Sequence, residues 1–445
     1  MKIKVSHNLY NLAKIFGKEN PLFIVGGYVR NQVAKVFNSD IDLACNLQLN
    51  QVQELLKNTK YNFKVKNQKL GTAVITCGKH EYEYSTFRSE FYQGEGEHSP
   101  DVINFNASIV EDAKRRDFTV NAIYYNILDK ELEDFYGGIN DIRAKQIRTV
   151  ETPEFVLQND GVRILRMVRL ACELNYFIDN ETIAAANKYI DNLNNISQDR
   201  LRDEFVKIIT STNNFGRWAK RNKSFSSNLA YNGIKLIDKL NLWQYFVKKN
   251  REVIAELRGL GAHLTTFISA KPKDLLLSFC YDAYYYLNMY KKVLSVNDFC
   301  NCFLGRSGLN FKKQDYEYIQ TAISNIQKAL NLDYTQKDKV KVFAVTTLQN
   351  LDCAELRLIK HISLIRYSML RKCIKQAKHN HIPTTLSKLR FNVNKFYLNN
   401  PDFNKAKTKD LLTKLQHAVI LGKVKNRNSH LVEYAHANIL TKGAK

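Results

Sequence analysis

The amino-acid sequence predicts an α+β fold, in which a mixed β-sheet occupies the N-terminal third and helices form the remainder. Short β-like runs alternate with helical ones up to about residue 140, and beyond Gly138 the apolar stretches have helical spacing. The chain has 445 residues, which is too long for one compact core, and contains only six prolines. We therefore expect an α/β head followed by several helical units.

The head is predicted to contain one sheet backed by helices, because strand-like and helix-like runs alternate along it. The predicted strands are 22–25 (LFIV), 40–45 (DIDLAC), 63–65 (FKV), 72–77 (TAVITC) and 81–87 (EYEYSTF), and the predicted helices are 29–37 and 51–58.

The helical remainder is expected to divide into three parts. We place the head at 1–140, a neck at 141–210, a body at 211–330 and a tail at 331–445. From residue 371 to the last residue there are 16 lysines and arginines against three acids, so the tail is predicted to bind RNA.

The net charge of +24, with a pI near 9.5, favours a polyanionic partner, with nucleic acid ahead of a membrane surface. A general lysine and asparagine bias of the source proteome would also explain part of this charge. No apolar run approaches the roughly 18–20 residues of a membrane helix, and no signal peptide is recognisable. The eight scattered cysteines are typical of reduced thiols, and we expect a cytoplasmic protein.

Two aspartates one residue apart, Asp40 and Asp42, open the second predicted strand. Strand positions i and i+2 lie roughly 6–7 Å apart on one face, where two carboxylates can bind divalent ions. Two ions about 3.5–4 Å apart can activate a hydroxyl and stabilise the leaving oxygen in phosphoryl transfer. The D-x-D pattern alone is equally typical of an exposed strand edge. Only the neighbouring residues can distinguish a metal site from such an edge.

Gly26 and Gly27 follow the first predicted strand and precede a helix whose first turn carries Arg30. Glycines let backbone N–H groups approach a phosphate, a helix N-terminus attracts it, and an arginine can bind it through two N–H groups. A plain strand-to-helix turn would explain the glycines if they stood alone. Their position just upstream of Asp40 and Asp42 predicts a triphosphate site instead.

A third carboxylate is expected on the strand 81–87. Glu81 and Glu83 alternate onto one face of it, so either could complete the metal site while the other stays solvated.

The segment 112-DAKRRDFTVNAIYY-125 runs from three basic residues into Asp117 and then into apolar residues at helical spacing. We therefore expect Asp117, Asn121 and the neighbouring arginines to lie together at the start of a helix. Such a group can hydrogen-bond a ribose and neutralise a triphosphate. An ordinary helix cap at Asp117 is the alternative interpretation.

Seven segments, in this order, together resemble the class II tRNA nucleotidyltransferases and bacterial poly(A) polymerases of the DNA polymerase β superfamily. The resemblance covers residues 22 to about 210 and implies a polymerase β-like nucleotidyltransferase head followed by an all-α neck, body and tail. The segments are GGYVRN, SDIDLA, EYSTFR, DAKRRDFTVNA, DFYGGINDI, NDGVRILRMVR and ISQDRLRDEFVKI.

The resemblance also implies residue roles. Asp40 and Asp42 correspond to the aspartates that bind Mg²⁺, with Glu83 as the third catalytic carboxylate. Asp160 and Arg163 correspond to the pair that hydrogen-bonds the base of incoming CTP or ATP. The remaining nucleotide-binding positions would be Gly26, Gly27, Arg30, Arg116, Asp117, Asn121 and Arg166.

The base-reading pair is physically reasonable in its own right. Positions i and i+3 share one helix face, so Asp160 and Arg163 would present an acceptor beside a two-pronged donor. That combination satisfies cytosine or adenine and leaves guanine and uracil with mismatched groups. An ordinary ion pair within a helix would use the same two residue types.

Three departures from the family pattern are visible. Asn31 stands where the glycine motif usually ends in aspartate, and Asn159 stands where an acid usually precedes Asp160. The tail reads NPDFNKAKTKD at 400–410 in place of a Gly-Pro-rich signature. The two asparagines affect the fine positioning of the groups in the site but not the metal chemistry. The third departure concerns how the tail contributes to RNA binding.

The leading hypothesis is Mg²⁺-dependent, template-independent addition of CMP, CMP and AMP to the 3′ acceptor end of tRNA. Poly(A) synthesis, partial addition of CC or A, and a non-catalytic RNA-binding paralogue are the alternatives. Relatives that switch between CTP and ATP carry a flexible loop in the region from Arg88 to Ile109. Here this stretch contains Gly94, Gly96 and many polar residues, which favours CCA addition.

Overall fold

The computed structural model describes residues 3–36, 40–92, 100–211, 229–247, 256–264, 274–290 and 294–440. The chain divides into two compact units, of which one comprises residues 1–263 and 301–311 and the other 264–300 and 312–445. The predicted α+β architecture is confirmed. The finer division at residues 140, 210 and 330 stays a prediction, and Gly94 and Gly96 lie outside the described residues.

The strands of the first unit form one large mixed sheet and two small ribbons. They are β1 (Phe23–Val25), β2 (Asp42–Cys45), β3 (Asn62–Asn67), β4 (Thr72–Cys77), β5 (His80–Thr86), β6 (Ser89–Phe91), β7 (Val102–Asn104), β8 (Ile123–Asn126), β9 (Leu132–Asp134), β10 (Gln146–Ile147) and β11 (Phe177–Ile178). The large sheet has the order β3-β4-β5-β2-β1-β8-β9. Its β2–β5 pair is parallel and the other pairs are antiparallel, so all five predicted strands lie in one sheet.

The helices of the first unit accompany the sheet and then continue beyond it. They are α1 (His7–Phe16), α2 (Gly27–Val33), α3 (Leu49–Leu56), α4 (Ile109–Lys114), α5 (Gly138–Ala144), α6 (Pro153–Asn159), α7 (Val162–Leu174), α8 (Asn180–Lys188), α9 (Gln198–Ile209), α10 (Leu229–Lys239) and α11 (Trp243–Phe246). Short 3₁₀ turns lie at Thr119–Asn121, Ile190–Asn195 and Leu260–His263.

The helices listed after residue 274 lie mainly in the second unit, in which the structure describes no strand. They are α12 (Leu275–Tyr290), α13 (Val296–Phe303), α14 (Lys313–Asn331), α15 (Lys337–Phe343), α16 (Ala354–Ile362), α17 (Leu364–His379), α18 (Val393–Asn399), α19 (Thr408–Ile420) and α20 (Asn428–Ala435). Phe396, Leu411, Leu415 and Leu431 are among the buried residues of a separate core near the end of the chain. No described helix is long and apolar enough to cross a membrane.

One predicted element is wrong. The residues after Asp117 were expected to form a helix, but they make a single 3₁₀ turn at Thr119–Asn121 and then strand β8. The run Ile123-Tyr124-Tyr125 favours a strand through its β-branched and aromatic side chains. The residues therefore pair with β1 as a buried strand and do not form the helix that the spacing of the apolar residues predicted.

An aromatic cluster supports the sheet beneath the site. Phe23 of β1, Phe87 and Tyr124 of β8 are at most 5% exposed and have ring centroids 5.9–6.2 Å apart. Burying each such ring contributes roughly 1.5–3 kcal/mol, and the edge-on contacts add to this. Because the Tyr124 ring is fixed in this core, its hydroxyl is a rigid partner for polar side chains at the edge of the sheet.

Candidate active site

The register of the sheet brings carboxylates from two strands together. In the parallel β2–β5 pair, Asp42 lies directly opposite Glu83, so both side chains lie on the same face. Asp40 precedes β2 by two residues and is exposed. The three predicted carboxylates line one cleft, together with Gly26 and Gly27.

The pKa of Asp42 shows that the negative charges of the three acids repel one another. The pKa of Asp42 is raised to about 6, mainly by burial, with Glu83 and Asp40 adding to the increase and Arg116 opposing it. A bound cation would relieve this repulsion. Mg²⁺ typically binds through one or two carboxylates and completes its shell with water and substrate phosphates, so the oxygen donors of Asp40 and Asp42 suit it. Among the described residues, no three His, Cys, Asp or Glu side chains are grouped closely enough to hold a metal by themselves.

The choice between Glu81 and Glu83 has a geometric basis. Glu83 lies opposite Asp42 of the neighbouring strand β2. Glu81 comes two residues earlier in β5, and it lies opposite Thr76 of β4. Glu83 lines the cleft and accepts a hydrogen bond of 2.6 Å from Lys66, with both side chains about half exposed. This arrangement favours Glu83 as the third carboxylate, and its role stays a prediction.

The glycine turn brings backbone close to the acids. Gly26 has a φ of +75°, a conformation that L side chains rarely adopt, and it directly precedes α2. A Cβ atom at this position would lie 3.7 Å from Asp42 Oδ2 and 3.9 Å from Arg116 Nη1. These are ordinary van der Waals distances, so the backbone conformation and not a lack of space favours glycine at this turn.

A buried acid, Asp112, holds two arginines at the edge of the cleft. It is 0% exposed and accepts hydrogen bonds from Arg115 Nε (2.9 Å), Arg116 Nη2 (3.0 Å), the Tyr124 hydroxyl (2.5 Å) and the backbone N–H of Arg88 (3.1 Å). Burial alone would raise its pKa, but the two guanidinium groups hold the pKa well below the usual range. Asp112 is therefore ionised and fixes Arg116 beside the catalytic acids.

Arg30 is linked to Asp117 through amide side chains. Its Nε donates to Asn31 Oδ1 (3.0 Å) and its Nη1 to Asn121 Oδ1 (2.5 Å), while Asn121 Nδ2 donates to Asp117 Oδ1 (3.3 Å). Arg166 binds the other oxygen of Asp117 at 2.6 Å. The structure thus brings Arg30, Asn121, Asp117 and Arg166 together as predicted. It also gives Asn31 a specific partner, the guanidinium of Arg30.

Helix α7 presents three arginines to the cleft. Arg163, Arg166 and Arg169 recur every three residues and share one face, while Ile164, Leu165 and other apolar side chains are buried. Arg169 donates to Glu204 of α9 at 2.8 Å and to Glu173 at 3.3 Å. The neighbouring helix α9 therefore belongs to the wall of the same cleft.

Asp160 and Arg163, the pair predicted to read the base, lie close together, although their local structure differs from the expectation. Asp160 has extended backbone (φ −146°, ψ 102°) between α6 and α7, so Asp160 and Arg163 do not share a helix face. Gly161 itself has helical backbone (φ −59°, ψ −27°), and a side chain there is excluded because a Cβ would lie 2.8 Å from the backbone of Asn192. Asp160 Oδ2 nevertheless lies 3.7 Å from Arg163 Nε.

Both members of this pair are buried and held by the backbone. Arg163 Nη2 donates to the carbonyl of Arg115 at 3.1 Å and Nη1 to that of Val156 at 3.4 Å, and each nitrogen keeps a second N–H. Asp160 accepts the N–H of Val162 at 3.0 Å. Burial raises the pKa of Asp160 to about 6 against the opposing charge of Arg163.

All twelve predicted site residues line one cleft of about 1160 Å³ in the first unit. Sequence reasoning assigned no role to Arg169 or to the acids Asp112, Glu90 and Glu204, which hold the arginines of the cleft in place. The i, i+3 and i, i+4 spacing of Asp112 with the following arginines was the available signal. The contacts of Glu90 with Arg115 and of Glu204 with Arg169 left no such signal, because these partners are 25 and 35 residues away in the chain.

Two family models match this chain. "Poly A polymerase head domain" matches residues 22–148, and "Probable RNA and SrmB- binding site of polymerase A" matches residues 175–214. The chain is 35% identical over 187 residues to a CCA-adding enzyme of Bacillus velezensis and 31% identical over 202 residues to poly(A) polymerase I of Salmonella typhimurium. These matches cover 42% and 43% of this chain but only 46% and 43% of the relatives, so less than half of each relative is spanned. The resemblance inferred from the motifs is confirmed.

Solved structures share the fold over almost the whole chain. A Bacillus stearothermophilus CCA-adding enzyme in complex with CTP has a TM-score of 0.72 at 18% identity, covering 98% of this chain and 97% of that one. A CCA-adding enzyme in complex with ATP has a TM-score of 0.60 at 17% identity, covering 97% and 95%. At these identities the likeness establishes the fold, including its helical second unit.

Proposed function

We propose that this chain is a CCA-adding nucleotidyltransferase, which transfers CMP, CMP and AMP from CTP and ATP to the 3′ end of tRNA. The observation that carries the proposal is the convergence, in one cleft, of Asp42 and Glu83 with Arg30 and the Asp160–Arg163 pair. The first three bind and activate a nucleoside triphosphate, and the Asp160–Arg163 pair selects its base.

The reaction joins the RNA 3′-oxygen to the α-phosphorus of the triphosphate. The bond from that phosphorus to the bridging oxygen breaks, pyrophosphate leaves, and the 3′-hydroxyl proton is released. Arg30 and Arg116 neutralise the phosphates, because both line the cleft beside the glycine turn: Arg30 lies on α2 directly after it, and Arg116 Nη1 would lie 3.9 Å from a Cβ at Gly26. Asn121 and Asp117 supply the acceptor and donor groups that a ribose hydroxyl needs.

A divalent ion, Mg²⁺ by the chemistry of its ligands, would be held by Asp40 and Asp42 with Glu83 nearby. When bound, it supplies Lewis-acid stabilisation of the transferring phosphoryl group. The half-exposed contact between Glu83 and Lys66 is a surface ion pair of small net energy, so Glu83 can exchange Lys66 for another cation.

Base selection follows from the hydrogen-bonding groups of Asp160 and Arg163. The carboxylate accepts from the exocyclic amine of cytosine or adenine, and the guanidinium donates to the adjacent ring nitrogen or oxygen. Uracil and guanine present a carbonyl where the amine would be, which leaves the buried carboxylate facing another acceptor. This mismatch is worth about 1–3 kcal/mol.

The deciding experiment uses tRNA that ends at the discriminator base, incubated with one labelled nucleotide at a time and then with both. Addition of two residues from CTP alone, followed by one from ATP, is the expected result. Long ladders from ATP alone would identify a poly(A) polymerase, addition limited to CC or A would identify a partial enzyme, and no incorporation would identify a paralogue. Each of these three outcomes would overturn the proposal.

A further inference from the structure

The cleft is lined by nine basic side chains, most of which are already neutralised. Seven of them lie within 4 Å of an acid: Arg88 of Glu90, Arg115 and Arg116 of Asp112, Arg163 of Asp160, Arg166 of Asp117, and Arg169 and Lys207 of Glu204. Among the described residues, Arg30 and Arg200 are the two that have no ion pair. A cation that has no carboxylate partner keeps an uncompensated charge, which favours binding of a phosphate.

Arg30 already has a ligand in the proposed function. It is 6% exposed, and its hydrogen bonds go to the neutral amides of Asn31 and Asn121. A buried guanidinium that lacks a counter-charge favours a bound anion, and Arg30 lies at the glycine turn where the triphosphate is placed. That leaves Arg200 unexplained.

Arg200 lies on the exposed side of α9 and projects into the same cleft. Its guanidinium makes no hydrogen bond to a described residue. Glu204, whose charge acts on Arg200, accepts instead from Arg169 at 2.8 Å and Lys207 at 3.0 Å. Arg200 also lies within residues 175–214, which match the RNA-binding family model. An unpaired arginine in an RNA-binding segment that borders a nucleotide cleft points to an RNA phosphate.

We propose that Arg200 binds a backbone phosphate of the single-stranded 3′ end of the RNA and so positions the terminal hydroxyl in the cleft. The proposal rests on the proposed nucleotidyl transfer and names the part of the molecule that receives the RNA. A volume of about 1160 Å³ exceeds the roughly 300–1,000 Å³ of a small-molecule pocket, so a triphosphate and an RNA terminus can both enter. The triphosphate lies at Arg30 and Arg163, and the RNA end follows α9.

The test compares Arg200→Gln with wild type by direct RNA binding, in the full-length protein. One RNA hairpin carries a single-stranded 3′ overhang and a second is blunt. We expect the Kd for the overhang hairpin to rise about three- to tenfold and the slope of log Kd against log salt to fall by about 0.7. The Kd for the blunt hairpin and the Kd for CTP without RNA should not change. Arg200→Lys should restore most of the lost affinity, because it keeps the charge.

Lys188→Gln is the matched control. Lys188 is an exposed cation in the same RNA-matched segment, lies on α8 over the ring of Tyr189, and does not line the cleft. We expect it to bind both hairpins as wild type does. In steady state, Arg200→Gln should raise KM for RNA and leave KM for CTP unchanged.

Three results would overturn the assignment. A rise in the Kd for CTP would place Arg200 in the triphosphate site, equal losses on both hairpins would place it on duplex RNA, and unchanged binding would make it a solvated side chain. The binding assay does not depend on catalysis. Wild-type protein that binds the overhang through Arg200 but adds no nucleotide would refute the proposed function and leave this assignment standing.

Discussion

Replacing Asp112 with asparagine is expected to weaken both the fold of the first unit and nucleotide transfer. The wild-type carboxylate is completely buried and receives four hydrogen bonds, two of them from the guanidinium groups of Arg115 and Arg116. An asparagine of the same shape presents an NH₂ group where a carboxylate oxygen accepted. At least one guanidinium N–H then faces another donor, and the two cations lose a buried counter-charge.

The expected loss of stability is about 3 kcal/mol. Removing one partner of a buried ion pair typically costs 3–5 kcal/mol, and we take the lower end because Arg115 retains Glu90 at 3.4 Å. Arg116 loses its only carboxylate partner among the described residues, although Tyr124 still accepts from its Nε at 2.7 Å. A displacement of Arg116 by about 1 Å from Asp42 should lower kcat by about 10²-fold.

Urea denaturation monitored by circular dichroism measures the first effect, and CMP incorporation at saturating CTP measures the second. Glu131→Gln removes one exposed negative charge from the head and serves as the control, with no expected change in either quantity. A decrease of less than 1 kcal/mol together with wild-type kcat would refute the role assigned to Asp112.

The pH dependence of this stability difference follows from the depressed pKa of Asp112. A carboxyl group whose folded pKa lies below its unfolded value of about 3.9 stabilises the fold fully above that value. Its contribution is lost as the pH falls towards the folded pKa. The stability gap between wild type and Asp112→Asn should therefore be constant near neutrality and shrink below about pH 4.

Three further outcomes are expected. Asp42→Asn should abolish transfer and leave the Kd for tRNA within about twofold of wild type, as measured by filter binding, because the carboxylate faces the phosphates and not the RNA. Glu83→Gln should lower kcat strongly while Glu81→Gln leaves it unchanged, since only Glu83 is paired with Asp42; the reverse pattern would exchange their roles. Neutralising the three basic residues between 423 and 427 should reduce the salt slope of tRNA binding by about two to three units, and an unchanged slope would exclude a phosphate contact there.

Five strands of the large sheet were predictable because each is short, apolar or alternating, and bounded by polar turns. β4 (Thr72–Cys77) agrees with its predicted limits, and its alternating burial matches the alternation in the sequence. The helix expected after Asp117 was wrong because spacing alone cannot decide a short apolar run whose neighbours are strands. These residues form β8 because of their pairing with β1, which the sequence does not show, together with the strand propensity of Ile123-Tyr124-Tyr125.

The sequence predicted which residues line the candidate site, but it did not predict the ion pairs that connect them. The motifs named residues that the fold brings into one cleft, because polar residues at fixed spacing next to glycines have few other uses. They did not show that Asp112 is the shared partner of Arg115 and Arg116, or that Glu204 joins α9 to α7 through Arg169. Those contacts connect elements far apart in the chain, so only the folded backbone brings them together.

Asp160 gives a prediction in which pH changes base choice. Its pKa is raised to about 6, mainly by burial, so the free enzyme carries a carboxylate at pH 7.5 and a protonated carboxyl at pH 5.5. The carboxylate can only accept, which suits the amine of cytosine. The protonated form can donate to the carbonyl of uracil. We therefore expect the ratio of kcat/KM for CTP to that for UTP to fall about ten- to a hundredfold between these pH values.

The ratio is the informative quantity, because acid effects on the phosphates, the RNA and the other acids of the cleft act on both nucleotides and cancel. Asp160→Asn carries a donor and an acceptor at every pH, so its ratio should be low and independent of pH. Asp203→Asn removes an exposed acid from the same cleft and should keep the wild-type profile. If the wild-type ratio stays constant from pH 7.5 to 5.5, or if Asp160→Asn slows both nucleotides equally, Asp160 is a structural residue at the start of α7 and base selection lies elsewhere.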